Sequence, residues 1–297
     1  MPEGHSIHRL ARQFTSVFAG QRLSVSSPQG RFAAGAARLD GQTLVAAAAH
    51  GKQLFLEFDN ELFLRIHLGL YGAFDFGGDE TFRGASSIGA PRRVGERELA
   101  DDDGGSGGTY AGPPPPKGAV RVRLVSEHGW ADLRGPTACE VITPGEQRAA
   151  LAKLGPDPLQ PNADPEEFLR RLTTRASPVG LLLMNQEVLA GVGNVYRAEV
   201  LFRQRLSPWR TGKALCSEQA LELWNDVVSV MGDGVAAGRI VTTRQEHRGD
   251  RAVPVPTGEA HYVYKRQGLP CRICGCEVAM TEMAARKLYW CPACQQE

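Results

Sequence analysis

Two cysteine pairs near the C-terminus constrain the fold of this chain more than any other feature. The pairs are Cys271-x-x-Cys274 and Cys291-x-x-Cys294, with sixteen residues between them. Two C-x-x-C knuckles at such a spacing are typical of a structural site in which four thiolates hold one zinc ion tetrahedrally. So short a segment has little core of its own, and we therefore expect its folding to require the metal.

Three further cysteines lie outside these pairs. The C-x-C spacing of Cys276 to Cys274 does not fit a zinc knuckle, and Cys139 and Cys216 are predicted to be core residues. Five of the seven cysteines lie in the last 27 residues, which favours a metal site in a reducing cytoplasm over a disulfide framework. No apolar run approaches ~18 residues and no export signal is recognisable, so no membrane partner is expected.

Length and charge narrow the class of protein without identifying it. A chain of 297 residues is long enough for two domains, and 34 basic against 33 acidic residues leave a net charge of +1. The charges are nevertheless uneven, because residues 170–213 hold eight basic and two acidic side chains, whereas residues 79–103 hold seven acidic and four basic ones. This pattern fits either a basic face for a phosphate-bearing partner or an ordinary solvated helix surface.

Hydrophobic periodicity predicts an α+β chain. Apolar residues at helical spacing run from Ile7 to Phe18, and strand-like runs follow at residues 44–47, 54–58, 62–66 and 120–125, with a turn at 58–61. Residues 77–118 are rich in Gly, Asp and Pro and are predicted to be a flexible loop. Prolines at 156, 158 and 161 indicate a linker, and helices are predicted beyond it at 166–172, 179–185, 195–203 and 217–231.

The N-terminus carries the most distinctive chemistry. Met1 is expected to be removed because a small residue, Pro2, follows it, which leaves a secondary amine at the start of the chain. An α-amino group has an ordinary pKa of about 7.7–8.0, so part of it is unprotonated near neutral pH and can attack a carbonyl-like carbon to form an iminium. Glu3 adds a carboxyl group within proton-transfer range. The alternative is a soluble chain start without a catalytic role.

A second motif, Gly191-Val192-Gly193-Asn194, lies between two predicted helices. Two glycines two residues apart allow a tight turn in which backbone N–H groups approach a phosphate at the N-terminus of the next helix. Asn194 is predicted either to cap that helix or to donate its amide N–H to the same phosphate. From these residues alone, an interhelical turn with an asparagine cap is the simpler interpretation.

Several short motifs follow one another along the chain. They are Met1-Pro2-Glu3-Gly4, Gly51-Lys52, His67-Leu68-Gly69-Leu70-Tyr71-Gly72, Leu154-Gly155-Pro156-Asp157, residues 190–202, Val263-Tyr264 and Tyr289-Trp290-Cys291-Pro292. Their identity and order resemble the formamidopyrimidine-DNA glycosylase/endonuclease VIII family over the whole chain except the 77–118 loop. The resemblance implies an N-terminal β-sandwich domain with flanking helices (1–143), a linker (144–165), a helix-two-turn-helix DNA-binding domain (166–256) and a C-terminal zinc β-hairpin (257–297).

The resemblance implies a bifunctional DNA glycosylase/AP lyase whose partner is damaged DNA. The Pro2 nitrogen would attack C1′ of the damaged nucleotide and expel the base, and the resulting iminium would acidify the C2′ proton, so that β- and then δ-elimination cleave the strand. Glu3 matches the acid/base residue that assists sugar ring opening. Lys52 matches a lysine near the abasic sugar, and Arg286 matches an arginine that grips phosphate and supports the second elimination. Outside this context, both would be interpreted as surface residues.

Further positions match the family's DNA contacts. Asn194 matches a phosphate-binding asparagine, and Lys153 stands where the endonuclease VIII branch has a phosphate-contacting base. Gly69-Leu70-Tyr71 matches the wedge that fills the gap left when the damaged base is flipped out of the duplex. The alternative is that Leu70 and Tyr71 are core residues following the strand at 62–66.

Gly4 and Leu70-Tyr71 resemble the endonuclease VIII branch, whereas Gly69 and Asn185 depart from the usual pattern and leave the lesion preference in question. We expect a cytoplasmic, nucleoid-associated monomer that excises oxidised bases, pyrimidines in particular, and contains one structural Zn²⁺ per chain. Two alternatives remain open. One is a formamidopyrimidine/8-oxoguanine-type glycosylase with the same catalytic residues. The other is a catalytically silent, zinc-containing DNA-binding protein that does not need Pro2.

Overall fold

The computed structural model describes residues 2–90, 112–249 and 254–296. The chain divides into two units, Met1–Ala152 and Lys153–Glu297, which are called here the N-terminal unit and the C-terminal unit. Residues 91–111 of the predicted 77–118 loop, and with them most of the acidic side chains counted above, lie outside the described residues.

The N-terminal unit is built from two antiparallel sheets and flanking helices. Its elements are α1 (Gly4–Phe18), β1 (Ser24–Ser26), α2 (Ala33–Leu39), β2 (Leu44–His50), β3 (Gln53–Phe58), β4 (Phe63–His67), β5 (Ala73–Gly78), β6 (Ser87–Gly89), β7 (Val120–Val125), β8 (Gly129–Arg134), β9 (Ala138–Ile142) and α3 (Pro144–Leu151). One sheet has the order β1-β7-β8-β5-β6 and the other the order β2-β3-β4-β9. Side chains of both sheets share one core, so the predicted β-sandwich is confirmed.

Helix α1 packs its apolar face into this core. Phe14 makes edge contacts with Phe74 and Phe76 of β5, with ring centroids 5.0 and 5.3 Å apart. The helix forms because its apolar residues recur at i, i+3 and i+4, as the sequence indicated. It begins at Gly4, because Glu3 has the extended backbone of an N-cap residue, with φ −122° and ψ −178°. The catalytic candidates at the N-terminus are therefore attached directly to a buried helix.

The four predicted strands correspond to β2, β3, β4 and β7, and the predicted turn at 58–61 closes with a Glu61 N–H to Phe58 carbonyl bond of 3.0 Å. The start of the predicted loop instead continues β5 and contains β6. These segments become strands because β5 pairs with β8 over its whole length, a long-range partner that local composition does not reveal.

Strand β7 carries one charged side chain into the interior. Arg123 is buried and donates from Nε and Nη2 to the two carboxylate oxygens of Asp132 on β8, each at 2.7 Å. Its guanidinium also lies 5.8 Å from the ring centroid of Trp130. A buried arginine is tolerated here because its charge is paired in a bidentate geometry.

Among its described residues, the C-terminal unit contains four α-helices and a β-hairpin. They are α4 (Pro165–Thr173), α5 (Val179–Leu182), α6 (Asn194–Arg203), α7 (Ser217–Ala237), β10 (Ala279–Met283) and β11 (Arg286–Trp290). The predicted linker at 144–165 contains α3, which begins at a capping box formed by Thr143 and Glu146. The prediction that Cys216 is a core residue is wrong, because it is exposed at the N-cap position of α7.

Helix α6 is the centre of the C-terminal unit. Tyr196, Val200 and Leu201 belong to the core formed with α4 and α7, whereas Ala198 and Phe202 belong to a second core that includes residues of the β-hairpin. All residues from Asn194 to Phe202 are buried, because the helix is covered on both sides. Within the parts of the chain that the structure describes, no helix has both the length and the apolar character needed to cross a bilayer.

Candidate active site

The predicted nucleophile and its neighbouring carboxyl group lie at the start of α1. Pro2 is buried and Glu3 is 0% exposed, and the Glu3 carbonyl accepts the Ser6 N–H at 3.0 Å. His5 lies in the first turn of the same helix, where burial, followed by the charge of Arg9, lowers its pKa to about 3. His5 is therefore neutral at physiological pH, and Glu3 is the group with acid/base chemistry beside Pro2.

Lys52 lies in the two-residue turn between β2 and β3. The turn is closed by pairing of His50 with Gln53, and Gly51 adopts a left-handed φ of +56°. Lys52 is half-buried, and Gln53 pairs in turn with His67 at the end of β4. Burial, followed by the charge of Lys52, lowers the pKa of His67. The register therefore brings the lysine close to His67, two residues before the predicted wedge.

The predicted wedge is an exposed turn after β4. Leu70 is 41% and Tyr71 is 81% exposed, so the alternative that they are core residues is wrong. Gly69 has φ +66°, and a Cβ at this position would lie 1.8 Å from Thr137 Oγ1. This contact and the left-handed φ both require glycine at position 69, one of the positions that depart from the family's usual pattern.

The turn before α6 differs from the prediction in one respect. Gly193 is the N-cap residue and Asn194 is the first residue of the helix, so the prediction that Asn194 caps α6 is wrong. The Asn194 amide instead donates to the Lys287 carbonyl at 2.9 Å and accepts a hydrogen bond from Arg197 Nη2. Asn194 therefore connects the start of α6 to the β-hairpin.

Arg286 is the first residue of β11 and is half-buried. It pairs with Met283 across a two-residue turn in which Ala284 and Ala285 have left-handed φ values of 53° and 55°. The carbonyl that binds Asn194 belongs to the next residue, Lys287. The structure therefore brings Asn194 and the backbone beside Arg286 together.

Lys153 is exposed at the start of the C-terminal unit. Two residues later, the Gly155 N–H donates to the Gln186 carbonyl at 2.8 Å, and a Cβ on Gly155 would lie only 2.6 Å from the Val188 backbone. Glycine is needed here because the two backbones approach so closely. Lys153 therefore lies two residues before the point at which its segment contacts the chain that leads into α6.

The expected basic face at residues 170–213 is reduced by internal pairing. Arg197 is fully buried, and Arg203 pairs with Asp226 at 2.6 Å. Arg170 and Arg171 both pair with Glu167, at 2.8 and 2.6 Å. Half of the eight basic residues are therefore buried or paired with an acidic side chain, although the Arg170 side chain remains exposed.

The four predicted cysteine ligands converge. Their sulfur atoms lie within 4.8 Å of one another, with Cys271 Sγ 3.9 Å from Cys294 Sγ and Cys274 Sγ 3.4 Å from Cys291 Sγ. Cys276 is not part of the group, and its thiol contacts the Glu277 carbonyl at 3.7 Å. The cluster can hold one metal ion.

Three of these thiols have shifted pKa values, and burial raises the pKa of Cys294. The backbone N–H of Cys276 is the main cause that lowers the pKa of Cys274 to about 7, whereas burial raises the pKa of Cys291 to about 11. Metal binding requires thiolates, so the buried thiol must release a proton when a metal binds.

Two polar residues of the site were missed by sequence reasoning, the half-buried Gln186 and the buried Glu199. Gln186 donates to the Val192 carbonyl at 3.1 Å and accepts the Gly191 N–H at 3.0 Å, which fixes the turn before α6. Glu199 is fully buried and accepts hydrogen bonds from the backbone of residues 262–264. Glu199 gave one signal in the sequence, a polar residue at an otherwise apolar position of a predicted helix, and Gln186 in its turn gave none.

Comparison with known proteins relates the chain to DNA repair enzymes. The family model described as the formamidopyrimidine-DNA glycosylase N-terminal domain matches residues 1–131, and the one described as the formamidopyrimidine-DNA glycosylase H2TH domain matches residues 154–246. A relative named endonuclease 8 1, from Mycobacterium tuberculosis, is 42% identical over 297 residues, which cover 99% of this chain and 100% of the relative. The formamidopyrimidine-DNA glycosylase of Thermus thermophilus is 39% identical over 147 residues, which cover 50% of this chain and 55% of the relative.

Solved structures show the same fold. The MutM (Fpg) protein of Thermus thermophilus matches with a TM-score of 0.72 and 27% identity, covering 99% of this chain and 98% of that one. Lactococcus lactis Fpg in complex with DNA containing an abasic site matches with a TM-score of 0.73 and 19% identity, covering 99% and 100%. Together with the full-length relative, these matches establish that the chain belongs to the formamidopyrimidine-DNA glycosylase/endonuclease VIII family.

Proposed function

We propose that this protein is a bifunctional DNA glycosylase/AP lyase of base excision repair that removes oxidised bases, mainly pyrimidines, from DNA. The observation that carries the proposal is the Pro2–Glu3 pair at the start of a buried helix, in a chain 42% identical over its full length to an endonuclease 8. The full-length relative supports the pyrimidine preference over a formamidopyrimidine-type one. A DNA-binding protein without catalysis would not need Pro2 as its first residue.

The chemistry follows from the amine and the carboxyl group. The Pro2 nitrogen forms a bond to C1′, and the C1′–base bond breaks with the electron pair leaving on the base, which takes up a proton. Glu3 carries the proton that opens the sugar ring, which leaves an iminium between Pro2 and C1′. The iminium acidifies the C2′–H, so loss of that proton expels the 3′-phosphate by β-elimination. A second elimination releases the 5′-phosphate.

Four cationic or amide side chains are assigned to phosphates near the lesion: Lys52, Lys153, Asn194 and Arg286. An asparagine amide nitrogen carries two hydrogens, and the Lys287 carbonyl takes one of them, so the other can be donated to a phosphate. The exposure of Leu70 and Tyr71 supports their role as the wedge, because large apolar side chains in water are stabilised when they insert between bases.

We assign zinc to the four-cysteine cluster. Four sulfurs bonded to one tetrahedral zinc at ~2.3 Å are about 3.8 Å apart, which agrees with the two separations of 3.4 and 3.9 Å. The metal has a structural role, because all four ligands come from the protein. Thiolate ligands remain available in a reducing compartment, which supports a cytoplasmic location. We also propose that the protein acts at the nucleoid as a monomer.

Trapping the covalent intermediate tests the function. Borohydride added during turnover on a duplex with one oxidised pyrimidine should reduce the iminium and give a protein–DNA adduct whose peptide map places the DNA on Pro2. Pro2→Gly should abolish strand cleavage at that lesion. Glu3→Gln should impair base release more than cleavage of a preformed abasic site, because there the base is already absent. An adduct on Lys52, or full activity in protein that retains Met1, would show that Pro2 is not the nucleophile.

A further inference from the structure

Glu199, a buried carboxylate on α6, has no role in the chemistry described above. It is 0% exposed. Its Oε1 accepts the backbone N–H groups of Val263 and Tyr264 at 2.9 and 2.8 Å. Its Oε2 accepts the Tyr262 N–H at 2.7 Å and the hydroxyl of Thr242. All four acceptor positions of the carboxylate are thus used by one irregular segment and one threonine.

The segment that Glu199 binds has little regular structure to hold it. Among the described residues between α7 and β10, the helical elements are two three-residue 3₁₀ turns, Gln245–His247 and Thr257–Glu259. Backbone N–H groups buried without a partner are costly, and a carboxylate that accepts several of them forms strong, charge-assisted bonds. Glu199 therefore determines where residues 262–264 lie on α6.

The same segment supports the β-hairpin. The Tyr262 ring stacks on Phe202 with centroids 4.9 Å apart, and the Tyr264 ring meets Tyr289 of β11 edge-on at 5.4 Å. Tyr262, Val263 and Tyr289 share one hydrophobic cluster with the cysteine ligands. A displacement of residues 262–264 would therefore move β11, the strand that begins with Arg286.

Helix α6 consequently holds the hairpin at two points. Asn194 binds the carbonyl next to Arg286, and Glu199 binds the segment packed under β11, five residues and about 7.5 Å further along the helix axis. One attachment point leaves the hairpin able to pivot, whereas two fix both its position and its orientation.

We propose that Glu199 is a positioning residue for the proposed DNA glycosylase/AP lyase reaction. Through residues 262–264, Glu199 sets the position of Arg286 relative to Asn194. This inference rests on the proposed function. Glu199 does not touch the DNA, and its effect on the reaction passes entirely through Arg286.

Glu199→Gln tests the proposal, because it keeps the shape of the side chain while replacing one accepting oxygen by an NH₂ group that faces N–H and O–H donors. Binding to a duplex containing an uncleavable abasic-site analogue should weaken about tenfold or more, and the salt dependence should fall by about one phosphate contact. The metal content and the helical circular dichroism should stay at wild-type values. Glu222→Gln, the same change at an exposed position of α7, should alter binding less than about twofold.

A double-mutant cycle with Arg286→Ala separates positioning from a general structural role. If Glu199 acts through Arg286, Glu199→Gln should weaken binding by less than about twofold in the Arg286→Ala background. Equal loss in both backgrounds would overturn the proposal. If the glutamine variant does not fold, Thr242→Val, which removes a single donor to the carboxylate, replaces it in the same cycle.

The outcomes also separate this inference from the proposed function. Wild-type protein that forms the Pro2 adduct but gives additive effects in the cycle would refute only the role of Glu199. Wild-type protein that neither binds nor cleaves abasic DNA would refute the proposed function and the positioning role with it.

Discussion

Gly69, at the base of the exposed wedge, provides a test in which the structure itself sets the expected magnitude. Its φ is +66°, and an added Cβ would lie 1.8 Å from Thr137 Oγ1 and 3.0 Å from Thr137 Cβ. Rotation of the threonine side chain can remove the first contact but not the second. Gly69→Ala therefore requires a backbone shift in addition to an unfavourable left-handed conformation.

The two contributions can be separated by a matched glycine. The left-handed conformation of an alanine costs roughly 1–2 kcal/mol, and overpacking against fixed atoms costs roughly 1–3 kcal/mol more. Gly20 also has a left-handed φ, +79°, but nothing lies within 4 Å of the position that an added Cβ would take, so Gly20→Ala should show only the first contribution. Adding Thr137→Ala to Gly69→Ala should recover part of the second.

The free energy of unfolding of the N-terminal unit is measured by hydrogen exchange of the β3 and β4 amides in urea. Affinity for a duplex with an abasic-site analogue is measured in parallel, and it should fall for Gly69→Ala but not for Gly20→Ala, because Leu70 and Tyr71 follow Gly69 directly. Equal destabilisation by the two alanine variants, or no recovery with Thr137→Ala, would refute the steric argument.

Three further outcomes are expected. His5 has a folded-state pKa of about 3 against 6.5 when unfolded, so it has no effect on stability above pH 6.5. Below that pH only the unfolded chain takes up the proton, so the free energy of unfolding should fall by about 1.4 kcal/mol per pH unit towards pH 3. Urea titrations at several pH values measure this slope, and His5→Asn should lack this contribution to it. Asp132→Asn should destabilise the sandwich by about 3–5 kcal/mol in thermal or urea unfolding because it leaves Arg123 buried without its counter-charge. Glu140→Gln, in the partly exposed pair with Arg65, should cost less than about 1 kcal/mol. Chelation of the metal, followed by elemental analysis, should abolish DNA binding and cleavage while the hydrogen-exchange protection of the β-sandwich is retained.

Elements with a strong local pattern were predictable from the sequence. Helix α1 and strand β7 were found where apolar periodicity placed them, because each buries one face against the core and its residues follow that geometry. Strands β5, β8 and β9 were not predicted. Their conformation depends on pairing with strands far away in the chain, and the composition of β5 begins to resemble a loop at Gly77 and Gly78.

Those parts of the site whose chemistry depends on a fixed spacing of residue types could be predicted from the sequence. The cysteine ligands were identified because two knuckles at a fixed interval have few other interpretations, and the structure brings their four sulfurs together. Glu199 and Gln186 could not be found in this way. Both bind backbone groups, which every residue carries, so no partner residue type in the sequence identifies the contact.

The same reasoning explains why the local pattern misassigned Asn194. An asparagine before a helix is usually an N-cap, because its side chain can accept the first unpaired N–H groups. In this chain Gly193 takes the cap position, and the Asn194 side chain turns towards Lys287, outside its own helix. The residue thus gives up the local hydrogen bond that its type favours in exchange for a long-range one. Such departures from local preference are expected where a position serves a site, because only the site can compensate for the lost local interaction.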